Sequence, residues 1–454
     1  MPVKETNSIF YVDDDNIDGP WDGTLEHPYM YIQDAIDNAS NDYTIRVYAG
    51  FYENPKSNVH ITKTLSIIGN ESTDTLVNRS VSIMADNVLF RGFTVNGSDY
   101  VTLKKSYCIR MKNSDNCNIN NNTIASGLCG IELYYSHDNN IENITLAEQE
   151  KHKPNIYLYS SNRNIIKQNY IDIDNSDYGI YLDNCQNNII DNNRIYGLGY
   201  TSSGYGPLIF LLFSCNNTIR RNNLMDELRA FQLKSSDYNK IIDNIIKNVH
   251  TAMSFSSSCN NIISGNILSD LGYGILLGDK SNNNIIQNNL LKNTSQCIRL
   301  GYTFKNIIKS NNIIENRIYG IMLYDNAINN TIYNNIIQDN GNKSWSSWSG
   351  GIVFKGEYGK IIGNTICLNN IQNNFVGINM RFGNTNNIIE KNNFIGNERH
   401  VDFRNSWGNI WDSNYWDNWV GFGPKLILGK FMKGPVQIPW FNIDKHPAKE
   451  PYDI

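Results

Sequence analysis

The sequence predicts an all-β chain wound into a parallel β-helix, and three observations carry that reading. Asn and Ile dominate, with 73 and 61 of the 454 residues, against only 10 Ala. β-Branched Ile favours strands, and so little Ala argues against a mainly helical protein. A phrase also recurs, as in Asn188-Ile189-Ile190-Asp191-Asn192-Asn193 and Asn284-Ile285-Ile286-Gln287-Asn288-Asn289. Its second apolar residue falls at 119, 141, 166, 190, 219, 242, 263, 286, 308, 332, 362, 389 and 410, a mean step of about 24 residues. Between these markers lies a second phrase of alternating apolar residues, such as Gly130-Ile131-Glu132-Leu133, Gly179-Ile180-Tyr181-Leu182 and Gly320-Ile321-Met322-Leu323.

Period-two alternation means a strand with one buried face. Each repeat therefore carries at least two short strands separated by Asn- and Gly-rich corners. No repeat holds the ten or more helical residues that a βαβ crossover needs. Stacking each coil on the next satisfies every backbone group: Ile and Leu fill the interior, while Asn turns corners and forms amide ladders. The pattern extends back through Phe90, Ile67 and Val47. That gives roughly sixteen coils, about 75 Å of stack at the ~4.8 Å strand spacing.

Such a stack needs caps, because each end exposes a strand edge and a core. Ile32, Ala35, Ile36 and Ala39 fall at i, i+3, i+4 and i+7, the spacing of an amphipathic first-cap helix. Residues 405–454 hold five of the eight Trp and a Pro-rich tail, and read as the second cap. The organisation expected is an N-terminal segment and capping helix over 1–44, a β-helix over 45–404 and a C-terminal cap over 405–454. Caps rich in Trp also leave room for self-association.

Several classes are excluded early. The net charge of −5 lacks the basic footprint of a nucleic-acid binder. The longest apolar run, Leu208 to Phe213, is far below the roughly 20 residues of a membrane span. Met1 to Asn7 is polar and carries no signal peptide, so an exported form is expected to be the mature one. The eight Cys show neither metal spacing nor a compact disulfide framework, and read as small residues filling repeat slots.

Loop lengths point to a face. Corners before the Gly-Ile-x-Leu strand are long at 96–108, 147–155, 196–207, 338–351 and 368–377, and variable loops on a rigid scaffold carry function. The strand face beside them is expected to show Arg110 and Lys112, Glu132 and Tyr134, Tyr157 and Tyr159, then Tyr181 and Asp183. The next coil is expected to show Ile209 and Leu211, where the polar stretch ends. Neighbouring loops add Tyr178 and Tyr205. Tyr rings flanked by charge offer flat apolar faces with hydroxyl hydrogen bonds, as a sugar-binding groove needs. Exposed Tyr is equally a good strand former. A second candidate is the loop with Trp345 and Trp348 near Lys355, Arg381, Asp402 and Arg404, where the Trp could instead cover an open coil edge.

For catalysis, Glu132 and Asp183 stand two coils apart, roughly 10 Å along the stack, near the upper limit for an inverting carboxylate pair. A lyase would need a Lys or Arg base beside calcium-bound carboxylates, a pattern that Arg110 with Glu132 meets only in part. For metal, Asp14, Asn16, Asp18 and Asp22 follow the first half of a calcium loop, although the bidentate Glu would fall at Leu25 and no helix precedes it. A solvated acidic turn explains the same residues. No cofactor is required by this reading, with Ca²⁺ the possible exception.

The opening Tyr11-Val12-Asp13-Asp14-Asp15-Asn16, the Ile32-Gln33-Asp34-Ala35-Ile36 helix, the Asn-Ile-Ile phrases and Asn414-Tyr415-Trp416-Asp417 resemble right-handed, single-stranded β-helix proteins of the pectate-lyase-like superfamily. The closest likeness is to the NosD-like branch with PbH1 repeats, including secreted archaeal members, and it spans nearly the whole chain. The resemblance implies the fold, and an extracellular or cell-surface location. It implies no single activity, since such repeats serve lyases, hydrolases, epimerases, adhesins and accessory proteins. The Asn-Thr-Asp, Gly-His-Gly and Arg-Ile-Lys combinations of polygalacturonases and the Asp-Pro-His motif of epimerases are missing. Copper, which the NosD name brings in, finds no His-x-His or Met-x-x-Met set among the seven His and nine Met. Three functions remain open: polysaccharide binding along the tyrosine face, a polysaccharide lyase or glycoside hydrolase there, or a structural surface or filament subunit.

Overall fold

A computed structural model describes residues 8–55, 57–97, 107–147, 153–173, 178–197, 206–345, 348–433 and 436–454. The chain divides into two compact units, Met1–Glu227 and Leu228–Ile454. In each, short strands pair in parallel with their counterparts one repeat later, as in a parallel β-helix. Among the described residues no helix is long and apolar enough to cross a membrane.

In the first unit a complete coil has three strands rather than the expected minimum of two. Ile165–Lys167, Tyr170–Asp172 and Tyr178–Asp183 form one such coil. They pair with Ile189–Asp191, Arg194–Tyr196 and Ile209–Leu212 of the next. The strand after the Asn-Asn corner is only three residues long, too short for alternation to reveal it in the sequence. Interior columns run straight through these registers. Ile119, Ile141, Ile166, Ile190 and Ile219 stack with no exposed surface. Each such side chain contributes about 2–3 kcal/mol of burial. At Gly179, the second residue of its strand, a Cβ would come within 2.6 Å of the Leu208 carbonyl oxygen, so the coils approach too closely there for most side chains.

The two Asn of each corner have different tasks. The first turns the chain: Asn187 and Asn192 have φ of 59° and 53°, the left-handed region that Asn tolerates. The second is buried and bonds between coils. Asn188 Nδ2 donates to the Ser161 carbonyl at 3.0 Å and to Asn217 Oδ1 at 3.1 Å, and its backbone N–H reaches the same Oδ1 at 2.9 Å. A parallel ladder runs through Asn169, Asn193 and Asn222. The first strand of the unit, Ile9–Val12, pairs with Tyr43–Val47, and helix Ile32–Asn38 buries Ile32, Ala35 and Ile36. Lys63 Nζ closes the helix C-terminus, donating to the carbonyls of Ile36, Asp37 and Ala39 at 2.7–3.0 Å.

The second unit repeats the scheme, with ladders such as Asn239–Asn261–Asn284–Asn306–Asn330–Asn364–Asn387. Here the interior column is Ile241, Ile263, Ile286, Ile308, Ile332, Ile366, Ile389 and Trp411. The markers expected at 242, 362 and 410 therefore shift to 241, 366 and 411. In Asn239-Lys240-Ile241 and Asn409-Ile410-Trp411 the inward residue still falls two places after the ladder Asn, one place from the marker expected. Lys360-Ile361-Ile362 belongs to an extra strand ahead of Thr365–Cys367. Coil register continues to Trp416, which stacks on Phe394 at 4.2 Å. An antiparallel hairpin, Lys425–Lys433 with Val436–Asp444, follows. Asp444 ends one ladder: Asn414 N, Asn414 Nδ2 and Trp416 Nε1 all donate to its Oδ2 at 3.0 Å.

Candidate functional site

The tyrosine face lies in the first unit, on the outward side of strands Tyr107–Lys112, Cys129–Tyr134, Pro154–Tyr159, Tyr178–Asp183 and Ile209–Leu212. Parallel register sets up two columns. One is Arg110, Glu132, Tyr157, Tyr181 and Phe210; the other is Lys112, Tyr134, Tyr159, Asp183 and Leu212. Ile209 and Leu211, expected to face outward, are instead fully buried. Ile209 pairs with Ile180, so Leu208 takes the place of Gly179 and the reading slips by one residue. The outward residues there are Phe210 and Leu212, and Phe210 extends the aromatic column by one ring.

The rings touch in sequence. Centroids are 5.8 Å apart for Tyr134–Tyr157, 5.2 Å for Tyr157–Tyr181 and 4.9 Å for Tyr181–Phe210. Tyr178 stacks on Phe210 at 5.7 Å, and Tyr135 meets Tyr159 edge-on at 5.6 Å. Aromatic pairs of this geometry contribute about 0.5–1.5 kcal/mol each beyond burial. They fix the rings as a half-buried surface. Burial pushes the Tyr157 phenol well up and Tyr181 to about 12, helped in both by the nearby Asp183 charge. These hydroxyls therefore remain hydrogen-bond donors at neutral pH.

Charge lies at the edges of the ladder. Arg110 Nε and Nη2 both reach Glu132 Oε2 at 2.7 Å, and the guanidinium sits 3.7 Å above the Tyr107 ring. Asp183 Oδ2 accepts the Tyr157 hydroxyl at 3.4 Å; burial raises its pKa, against that hydrogen bond. Tyr157 thus stands between the two carboxylates, in register with Glu132 and bonded to Asp183. Tyr205 lies outside the described residues. Three residues that alternation in the sequence does not show also belong to this face: register places Phe210 there, Tyr107 joins through the Arg110 guanidinium and Tyr135 through the Tyr159 ring.

The second candidate belongs to the second unit. The Lys355 ammonium lies 2.7 Å from the centroid of the Trp348 ring, and Trp348 packs on buried Ile318, Tyr319, Met322 and Val353. Lys355, Trp348, Ile318, Tyr319 and Met322, together with Arg299 and Tyr324, line a cleft of about 310 Å³. Burial lowers the Lys355 pKa, opposed by Glu357 at 3.2 Å. Arg381 Nη2 and Arg399 Nη1 share Asp402 Oδ2, at 2.9 and 3.0 Å. Of Trp345 only the backbone is described, in the short turn Lys343–Trp345.

The acidic loop residues hold their own chain. Asp14 Oδ2 accepts the Phe51 amide at 2.8 Å, Asn16 Nδ2 donates to the Pro28 carbonyl at 2.7 Å, and Asp22 Oδ1 accepts the Thr24 amide at 2.9 Å. Among the described residues no three His, Cys, Asp or Glu side chains converge as metal ligands.

Two family patterns match the chain. Residues 76–227 match the right-handed β-helix region, and residues 199–351 match the periplasmic copper-binding protein NosD. No curated protein matches in sequence. Similar solved structures include an alginate lyase from Paenibacillus sp. str. FPU-7, at 12% identity and a TM-score of 0.35, covering 67% of this chain and 91% of that one. An exopolygalacturonase from Thermotoga maritima has 10% identity and a TM-score of 0.39, covering 56% and 76%. A tailspike protein mutant of E. coli bacteriophage HK620, in complex with a pentasaccharide, has 12% identity and a TM-score of 0.48, covering 84% and 74%. The coil register and the two matched patterns agree on the fold: the chain is a parallel β-helix, similar over residues 76–227 to the right-handed β-helix region and over residues 199–351 to NosD.

Proposed function

We propose that this protein is an exported or cell-surface β-helix that binds polysaccharide along the tyrosine face of its first unit. The observation that carries the reading is the continuous run of half-buried rings Tyr134, Tyr157, Tyr181 and Phe210 at 4.9–5.8 Å. Spaced rings at a fixed repeat suit an extended polymer of flat, hydroxyl-rich units, and the protonated phenols add directional donors. The periplasmic description of the NosD family accords with a location outside the cytoplasm. The test is a glycan array with the full chain and the Tyr157→Ala/Tyr181→Ala double variant. Affinity for any glycan bound is expected to fall at least tenfold; retention of full binding refutes the reading.

Two further readings are tested separately. A lyase or hydrolase would use Glu132, Asp183 and Arg110; absence of new reducing ends or unsaturated products from acidic and neutral glycans counts against it. Self-association is favoured by the C-terminal hairpin, where Leu428 is 73%, Phe441 55% and Trp440 50% exposed. A strictly monomeric particle at high concentration would remove that second reading.

A further inference from the structure

On the outward face of the second unit, one register position is basic in three successive coils and in the hairpin strand that follows them. Lys355 pairs with Arg381, Arg381 with Arg404, and Arg404 with Lys430. Neighbouring positions in such a stack are only ~4.8 Å apart. Like charges directly opposite each other repel, so the arrangement needs compensation. The compensation from the chain is partial. Glu357 takes Lys355, and the Asp402 carboxylate is shared between Arg381 and Arg399. Positive charge is left in surplus around Arg381 and Arg404.

A separate observation concerns hydrogen bonding. Arg381 is 5% exposed, and its Nε and Nη1 have no acceptor among the described residues; the buried Nε of Arg404 has none either. The register shifts immediately beyond Arg381, where buried Asn384 also leaves its amide unpartnered. A buried charged donor without an acceptor is costly, and such groups in folded proteins find a partner. Water would satisfy the N–H groups but leave the charge surplus. An anion with several oxygens answers both, and guanidinium groups suit it because their planar donors match pairs of anionic oxygens.

We infer that Arg381 and Arg404, with Lys355 at the edge, form a binding site for a tetrahedral oxyanion of the sulfate or phosphate class. The anion is either free in solution or carried as an ester on a glycan. This inference does not depend on the tyrosine face, which lies in the other unit.

The test uses the full chain with sodium sulfate and with sodium chloride at equal ionic strength, read by isothermal titration and thermal melting. Sulfate raises stability generally by exclusion from protein surfaces, so the comparison with variants decides. A saturable sulfate response with a millimolar midpoint is expected, weakened at least tenfold in Arg381→Met and in Arg404→Gln. Arg404 is only half-buried, so Arg404→Gln keeps the test valid if Arg381→Met does not fold. A crystal soaked in selenate is expected to show the anion between the two guanidiniums. A sulfated oligosaccharide and its desulfated form separate the sources. Response to free sulfate assigns the free ion; response to the sulfated oligosaccharide alone, lost in Arg404→Gln, assigns the ester. Equal sulfate responses in wild type and both variants, no response to either source, or water alone between the guanidiniums would overturn the inference.

Discussion

Replacing Asn193 with Ala tests whether the amide ladders are structural necessities. Asn193 is 1% exposed. Its Nδ2 donates to the Ile166 carbonyl and to Asn222 Oδ1, both at 2.9 Å. Its Oδ1 accepts the Asn169 backbone N–H at 3.0 Å and Asn169 Nδ2 at 2.9 Å. Asn222 Oδ1 keeps the Asn193 backbone N–H, which reaches it at 2.9 Å, so that acceptor is not orphaned. The Asn169 amide N–H, one donor of its side chain and one backbone carbonyl lose these partners. At about 1–3 kcal/mol for each buried group left unmade, and with partial relaxation, the cost is about 3–6 kcal/mol. Stacked repeats can unfold in parts, so a single global midpoint is an incomplete readout. Urea unfolding should therefore be paired with amide exchange in peptides covering 165–172 and 189–196. The expected result is a lower midpoint with fast exchange concentrated in those two coils. A change below about 1 kcal/mol with unaltered exchange would refute the assignment of the ladder as a structural element.

The turning Asn should behave differently. Asn288 has φ of 55°, so Asn288→Gly is expected to be near neutral and Asn288→Val to cost about 1–2 kcal/mol by urea unfolding. His400 Nε2 donates to Asp417 Oδ1 at 2.7 Å, and the ring lies 5.9 Å from the Trp416 ring. Burial holds its pKa below the usual value against the pull of Asp417, so the folded state favours neutral imidazole. That contribution is complete above about pH 6.5 and is lost as pH falls through the depressed folded value. Trp fluorescence is expected to show acid loosening that His400→Phe reduces; an unchanged acid profile contradicts the assignment. Burial pushes the thiols of Cys117 and Cys185 up to about 11 and about 12. Maleimide at pH 8 should label these two slowly in the native protein, and all eight Cys should react on unfolding. Rapid native labelling of Cys185 would show that its coil opens.

Much of the architecture is legible because it is periodic. Ile at inward positions and Gly-Ile-x-Leu strands predict the coils, and the Asn-rich corners predict ladders. The short strands such as Tyr170–Asp172 are not legible, since three residues show no alternation. Register was misread where a coil departs from the phrase. Leu208-Ile209-Phe210-Leu211 lacks the Gly that fixes the frame, and Phe210 replaces the expected outward residue. Tyr134, Tyr157, Tyr159 and Tyr181 are recognisable by alternation alone. Their joining by Tyr178 and Phe210 into one ring surface requires the loop-to-strand geometry.

The sequence by itself determined the repeat, its interior and its corners, because each coil sees nearly the same environment and the pattern is printed many times. Tertiary structure decided which outward residues meet. Neighbours across coils are some 22–34 residues apart, and one extra residue in a corner changes every partner. It also decided that Glu132 is held by Arg110, that Tyr157 stands between Glu132 and Asp183, and that Lys355, Arg381 and Arg404 fall in one column. Periodic burial is a local property of the chain; a site made from singular side chains depends on register between coils.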